Sequence, residues 1–312
     1  MLHASAKGPV INPRRPRVRR WGSPVAGYLF IAPWLLGFFI LTVWPMAMSL
    51  FYSLNDFNLL SSPVWVGLDN YRRILTQDTV FRKSLGVTFR FVLLSVPVKL
   101  VCAMIVALIL NRNIRGISIY RTLFYLPTLI GGSVAVSILW RNIWGADGFI
   151  NQLLGLIGVK GMSWISNPST ALYTLIALGV WQFGSPMVVY LAGLKQIPTS
   201  LYEASSIDGA SKPRQFFSIT LPMLSSVLLF NLVLQTIGAF QMFTQAYIIT
   251  NKGRPMNSTL MYSLYIYERG FTRYEMGYAA ALAWILLAMI AVITVIIFAS
   301  SRLWVFYESE GG

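Results

Sequence analysis

Acidic residues are scarce in this chain: 10 Asp and Glu stand against 25 Lys and Arg in 312 residues. It has one cysteine, Cys102, and one histidine, His3. A single cysteine excludes an internal disulfide. With one histidine, it also leaves no thiolate or imidazole cluster to hold a metal. A Ser–His–Asp set is excluded too, because His3 stands alone near the N-terminus. No Gly-x-x-x-x-Gly-Lys-Ser/Thr segment occurs, so the chain has no loop to cradle nucleotide phosphates and does not itself hydrolyse ATP. These gaps predict no catalytic residue, no metal and no cofactor of its own. The chain is not expected to be an enzyme.

What is present is apolar. Hydrophobic residues make up 56% and charged residues only 11%, against about 25% charged in soluble proteins. Crossing a bilayer takes about 20 apolar residues. Spans are expected near 26–51, 85–110, 122–144, 170–194, 222–249 and 277–301, which predicts an all-α membrane protein with six transmembrane helices. Arg141 sits at the end of the third span, and Gly184-Ser185-Pro186 interrupts the fourth. The spans contain no Asp or Glu. That argues against a self-sufficient, proton-coupled carrier, which needs an ionisable relay within the membrane.

The net charge of +15 reads as topology rather than as nucleic-acid binding. Lys7, Arg14, Arg15, Arg17, Arg19 and Arg20 precede the first span with no acid among them. The loop at 111–121 adds Arg112, Arg115 and Arg121, while the segment after the first span mixes signs. Basic loops stay in the cytoplasm. Both termini and the loop at 195–221 are therefore expected inside, and residues 53–83 outside. The first apolar run is too long for a cleaved signal peptide and is read as a retained span. The expected division is a basic cytoplasmic tail (1–25), a first helix with its outer loop (26–84), a five-helix core (85–303) and a short cytoplasmic tail (304–312).

The loop at 195–221 is more than a turn. Ser200 and Glu203 stand in capping-box spacing after Pro198. Gly209 suits a helix end that needs positive φ, and Pro213 suits the start of a second short helix. This predicts a helical elbow across the membrane face. An interfacial connector with no partner is the plainer reading of the same pattern.

Glu203, Ala204, Ser205, Gly209, Ile219, Leu221 and Pro222 resemble the EAA motif of ABC importer permeases. That motif runs Glu-Ala-Ala, three residues, Gly, nine residues, Ile-x-Leu-Pro, and Ser205 replaces its second Ala. The resemblance is to the carbohydrate branch and extends along nearly the whole chain. Trp65-Val66-Gly67-Leu68-Asp69-Asn70-Tyr71 is similar to its F-V-G-L-x-N-Y, and Tyr278-Ala279-Ala280-Ala281 to the Y-A-A-A opening its last span. Thr250 to Pro255 resembles its T-x-G-G-P turn, with Lys252 and Arg254 added.

The resemblance implies the type I ABC importer permease fold in a bacterial inner membrane. It implies a second permease subunit, two ATP-binding subunits holding ATP and Mg, and an extracytoplasmic sugar-binding protein. The elbow would be a coupling helix, with Glu203, Ala204, Ser205, Asp208 and Gly209 meeting an ATPase.

Sugars are held by amides and aromatic faces. Trp181-Gln182-Phe183 adjoins the break in span four, and such breaks are tolerated where they face protein or a cavity. Asn231 and Gln235 lie four apart on one helical face, with Ala239 and Met242 continuing the stripe. The resemblance places 235, 239 and 242 on sugar-contacting positions. Interhelical packing is the plainer role for these amides. Arg90 and Lys99 in span two point to opposite faces. Packing or a subunit contact is the reading preferred for both, and attraction of an acidic sugar is the other. The expected function is sugar import, with oligosaccharides from plant or algal polysaccharides favoured. A glycerol-phosphate or polyol importer subunit, a secondary carrier and a scaffold without transport are the alternatives.

Overall fold

The computed structural model describes residues 24–112 and 115–306. The tail expected over 1–25 lies outside them except for its last two residues, and most of the tail at 304–312 does too. The chain divides into two compact units, Met1–Ser49 and Leu50–Gly312. In the first, α1 (Pro24–Phe38) runs through one π-helical turn at Phe39–Val43 into α2 (Trp44–Ser53), whose last four residues belong to the second. Gly27–Ser53 is long and apolar enough to cross a membrane.

In the second unit, Asn55–Asp56 (β1) and Val64–Trp65 (β2) pair antiparallel as a short hairpin. Next come α3 (Asp69–Thr76) and α4 (Thr79–Leu110). Then α5 (Ile117–Ile130), α6 (Val134–Ile143) and α7 (Phe149–Leu156) follow. The core continues with α8 (Ala171–Trp181) and α9 (Gly184–Leu194). After them are α10 (Thr199–Ile207), α11 (Lys212–Gln215), α12 (Leu221–Met223) and α13 (Ser225–Phe240). The described chain closes with α14 (Thr244–Ile249), α15 (Tyr262–Tyr267) and α16 (Met276–Ser301).

Five helices or joined helices among the described residues are long and apolar enough to span, and a sixth arises if a bent pair counts as one. That pair is α5 and α6, which meet at 98°. The third span expected over 122–144 falls on this bent pair. The cause of the bend is local. Gly131 and Gly132 follow Pro127, and Ser133 then caps α6, its Oγ accepting from Val136 N at 3.3 Å.

The axis of the core is α4, packed against α8, α9, α13 and α15. Its N-terminus is fastened by one carboxylate. Asp78 Oδ1 accepts from Phe81 N at 2.8 Å, capping the helix. Its Oδ2 accepts from Tyr278 OH at 2.5 Å and from Tyr265 OH. Arg269 stands 3.6 Å from the same oxygen, and it pairs with Glu275 at 2.9 Å. The Arg269 guanidinium also lies over the Tyr278 ring, 4.4 Å from its centroid. Three distant parts of the chain therefore meet at Asp78.

Burial pushes the Asp78 carboxyl up, but the tyrosine and backbone hydrogen bonds and Arg269 outweigh it and hold it below its ordinary value. A carboxylate so lowered contributes stability above its unfolded-state pKa and loses it as pH falls through the folded value. Asp78→Asn should therefore lower unfolding stability at neutral pH by about 3 kcal/mol, the cost of breaking a buried pair. The gap between variant and wild type should close on acidification below about pH 4. Thermal unfolding of the purified protein across that range measures both, and a gap independent of pH would refute the account.

Candidate functional site

Two breaks in the helices open onto one cavity. The first lies between α8 and α9, at Gln182-Phe183. There Thr128 of α5 reaches across, its Oγ1 donating to Gln182 O and accepting from Ser185 N, each at 3.2 Å. The polar groups freed by the break are thus satisfied by a neighbouring helix, as apolar surroundings demand. Close approach makes this possible. A Cβ on Gly184 would lie 2.7 Å from Thr128 Oγ1 and 2.8 Å from Phe124 O. The second break lies between α13 and α14, at Gln241–Phe243, where Ser263 Oγ donates to Met242 O.

The cavity has a volume of about 420 Å³, within the range of small-molecule sites. Four amides line it: Gln182 at the first break, Gln235 from α13, Gln241 at the second break and Gln245 from α14. Ala239 and Met242 line it as well, and α4 contributes Phe91, Ser95, Val96 and Lys99. No carboxylate lies within ion-pairing distance of Lys99 among the described residues. A larger cavity of about 640 Å³ lies beside Arg141–Gly148 and Ile249–Pro255, away from all these residues. The smaller one carries the argument because the amides and the broken helices converge there.

Of the predicted substrate residues, Gln182, Gln235, Ala239 and Met242 come together. Trp181 and Phe183 do not line this cavity. Trp181 packs on Trp140, with ring centroids 5.7 Å apart, and Phe183 on Phe124 at 6.0 Å. Asn231 is buried elsewhere, donating to Val227 O of its own helix at 3.2 Å. Eight residues from Asn231 to Ala239 turn a helix about 80° past two full revolutions, so the stripe drifts off the cavity. Lys99, for which packing was preferred, is on the wall. Arg90 lies outside this cavity, on another side of α4. Lys99, Gln241 and Gln245 were visible in the sequence as polar groups within apolar runs. Their convergence was not.

The elbow is a folded unit. Its first helix, α10, ends in a Schellman arrangement, Ala210 N donating to Ser205 O at 2.9 Å and Gly209 N to Ser206 O at 3.1 Å, with Gly209 at φ +76°. Pro213 falls in the first turn of α11, as expected. Gln215, nearly fully buried, donates to Ser205 Oγ at 2.9 Å and Ser206 Oγ at 2.8 Å, locking α11 onto α10. Tyr202 OH bonds Thr220 Oγ1 at 2.9 Å. The capping box expected of Ser200 and Glu203 is absent. The helix begins at Thr199 with Pro198 in the capping position and no side-chain cap, so Ser200 is already helical. The Glu203 carboxylate makes no hydrogen bond or ion pair among the described residues. Glu203, Ala204, Asp208 and Gly209 are exposed, and so is Ile207, at 87%. The motif does not single out Ile207, and only its exposure brings it to notice.

Gly131 holds the cavity's shape. A Cβ there would meet Gln182 Cδ at 2.5 Å and Pro127 O at 2.6 Å, whereas one on Gly132 would meet nothing within 4 Å. Gly131→Ala should cost about 1–3 kcal/mol of stability through overpacking, and Gly132→Ala should stay within about 0.5 kcal/mol of wild type. Thermal unfolding of the two variants side by side tests this, and equal loss would refute it.

Residues 81–305 match the family described as "Binding-protein-dependent transport system inner membrane component". The "Probable ABC transporter permease protein YesP" of Bacillus subtilis (strain 168) is 52% identical, over 92% of this chain and 93% of that protein. The "Lactose transport system permease protein LacF" of Rhizobium radiobacter is 35% identical, over 89% and 94%. The "Arabinooligosaccharides transport system permease protein AraP" of Bacillus subtilis is 32% identical, over 93% and 92%. Among solved structures, a chain of the "bacterial alginate ABC transporter in complex with alginate pentasaccharide-bound periplasmic protein" superposes with TM-score 0.78. At 22% identity over 89% of this chain and 94% of that one, it shows the fold. The chain therefore has the type I ABC permease fold and belongs to the family of binding-protein-dependent transport system inner membrane components.

Proposed function

We propose that this chain is the permease subunit of an ATP-driven importer of oligosaccharides, with acidic ones preferred. The observation that carries the reading is the cavity itself. Four amides supply the directional hydrogen bonds that hydroxyl-rich rings need. Lys99 supplies a cation with no carboxylate partner among the described residues, and an unpaired cation at membrane depth is costly unless something anionic or hydrated compensates it. A uronate carboxylate is such a compensating group. The relatives named for lactose and arabinooligosaccharides, and the alginate importer of like fold, support a carbohydrate cargo. A phosphorylated polyol would also satisfy Lys99, but it leaves most of the amides unused.

In this reading a second permease subunit completes the pathway, and an extracytoplasmic binding protein delivers the sugar. Two ATP-binding subunits hold ATP and Mg and perform the hydrolysis. Both termini and the elbow face the cytoplasm. An ATPase subunit grips the exposed edge of α10 at Glu203, Ala204, Ile207 and Asp208, while Gly209 and Ser205 hold that edge in shape. Closure of the ATPases tilts the elbow as a rigid piece and the core helices with it.

Two experiments test this. In the assembled complex in vesicles, Lys99→Gln should cut uptake of a uronate-containing oligosaccharide roughly 10- to 100-fold, the worth of a hydrogen bond to a charged group. Uptake of a neutral oligosaccharide should change little. Gln235→Leu should lower both. Unchanged acidic uptake in Lys99→Gln would remove the acidic preference, and unchanged uptake of both in Gln235→Leu would remove the cavity. Separately, Ile207→Asp should strip the ATP-binding subunits from the purified complex, as truncating an interface anchor costs about 2 kcal/mol or more. Full retention of those subunits would overturn the assignment of the elbow.

A further inference from the structure

A second polar feature lies on α4 away from the cavity. Arg82, Lys83 and Arg90 line a groove of about 450 Å³ between α4 and the start of α8, with Gly86, Leu94 and Tyr173. Arg82, Gly86, Arg90 and Leu94 recur every four residues and form one stripe. Gly86 leaves a notch between the cations, since a Cβ there would meet nothing within 4 Å. None of the three cations has a carboxylate within 4 Å among the described residues. Arg82 donates to Thr76 O at 2.7 Å and Lys83 to Met256 O at 2.5 Å, both uncharged acceptors. Asp78, one turn from Arg82, is already occupied by Tyr265, Tyr278 and Arg269.

The depth of this groove identifies its occupant. From Arg90 to Leu110 is about 30 Å of helix, the thickness of a bilayer's hydrocarbon core. With Leu110 at one boundary, Arg90 stands at the other. Gly86 then lies about 6 Å beyond it, among the headgroups. Tyr173, 59% exposed, marks the same level, where tyrosines gather. Below Arg90, Leu94, Val98, Val101 and Ile105 present an exposed apolar track along α4, fit for an acyl chain. The cations sit in the leaflet on the side of the α4 N-terminus. On the orientation proposed above this is the outer leaflet, where Lys and Arg are disfavoured. Three of them clustered there call for a fixed anion.

We propose that this groove is a binding site for an anionic glycerophospholipid. The phosphodiester sits over Gly86 between Arg90 and the Arg82–Lys83 pair, and one acyl chain follows the apolar track. The leaflet rests on the orientation proposed above, but the binding itself does not.

The test uses the full complex with its partner subunits, reconstituted with phosphatidylglycerol in phosphatidylcholine. Native mass spectrometry of wild type should show one phosphatidylglycerol retained per copy of this chain, undisplaced by millimolar inorganic phosphate. Arg90→Gln and Arg82→Gln should each weaken retention about fivefold, the worth of one basic residue at a charged membrane surface. Arg90→Lys should restore most of it, so a loss caused by faulty assembly is told apart. Gly86→Cys should crosslink to a thiol-reactive phosphatidylglycerol. Undiminished retention in both glutamine variants, displacement by phosphate, or crosslinking of Gly86→Cys to the partner permease in place of lipid would overturn the proposal. Altered sugar uptake without altered lipid retention would count against it as well. Intact retention with failed sugar selectivity would instead fault the cargo reading alone.

Discussion

Inside hydrocarbon every backbone N–H and C=O must find a partner within the protein. The site depends on how this chain meets that demand where its helices break. Between Gln182 and Ser185 the helical ladder lapses, and a single hydroxyl, Thr128 Oγ1, takes up groups on both sides of the gap. At Met242 the hydroxyl of Ser263 does the same for a carbonyl. Each repair frees the chain to turn amide side chains toward a common space.

The elbow follows a different logic. It lies outside the long apolar spans, so its rigidity cannot come from the bilayer. Gln215 supplies it by bonding two serine hydroxyls and the Tyr202 carbonyl of the opposing helix. Ser205, the one departure from the family's motif, is among those partners. An alanine there would offer Gln215 nothing, so this elbow is clamped through the position where the motif has its second alanine. The outer edge of α10 is left with a carboxylate that pairs with nothing among the described residues and with an exposed isoleucine, the makings of a contact surface.

Charge is rationed along α4. Its capping carboxylate gathers two tyrosines and an arginine from the far end of the chain. The same helix carries Lys99 into the cavity and Arg90 to the opposite groove. One long helix thus fixes the core, carries one cation to the cavity wall and others to the opposite groove. The three roles do not interfere because nine residues separate Arg90 from Lys99, which puts them on opposite sides.

Much of this was written locally. Long apolar runs announce membrane helices, because no soluble fold buries so much. Gly209 falls just past the end of α10 and Pro213 within one residue of the start of α11, because proline and a positive-φ glycine act on the backbone where they stand. Gln235, Ala239 and Met242 were legible as one stripe of the span expected over 222–249, although Met242 stands in the break just after α13. What tertiary structure decided was everything that joins distant segments. Asn231 belongs to the same helix, but the drift of the stripe and packing against neighbours carry it off the cavity. Trp181 and Phe183 turn to aromatic partners that lie 41 and 59 residues away in the chain. Lys99 reaches the cavity only because α8 and α13 pack on the face of α4 from which it projects. The Gln182 side chain comes against Gly131, at the locally set bend between α5 and α6, only because α5 packs beside the break between α8 and α9. Periodicity within one segment cannot report which other segment will come within 4 Å, because that is settled by packing the whole core at once.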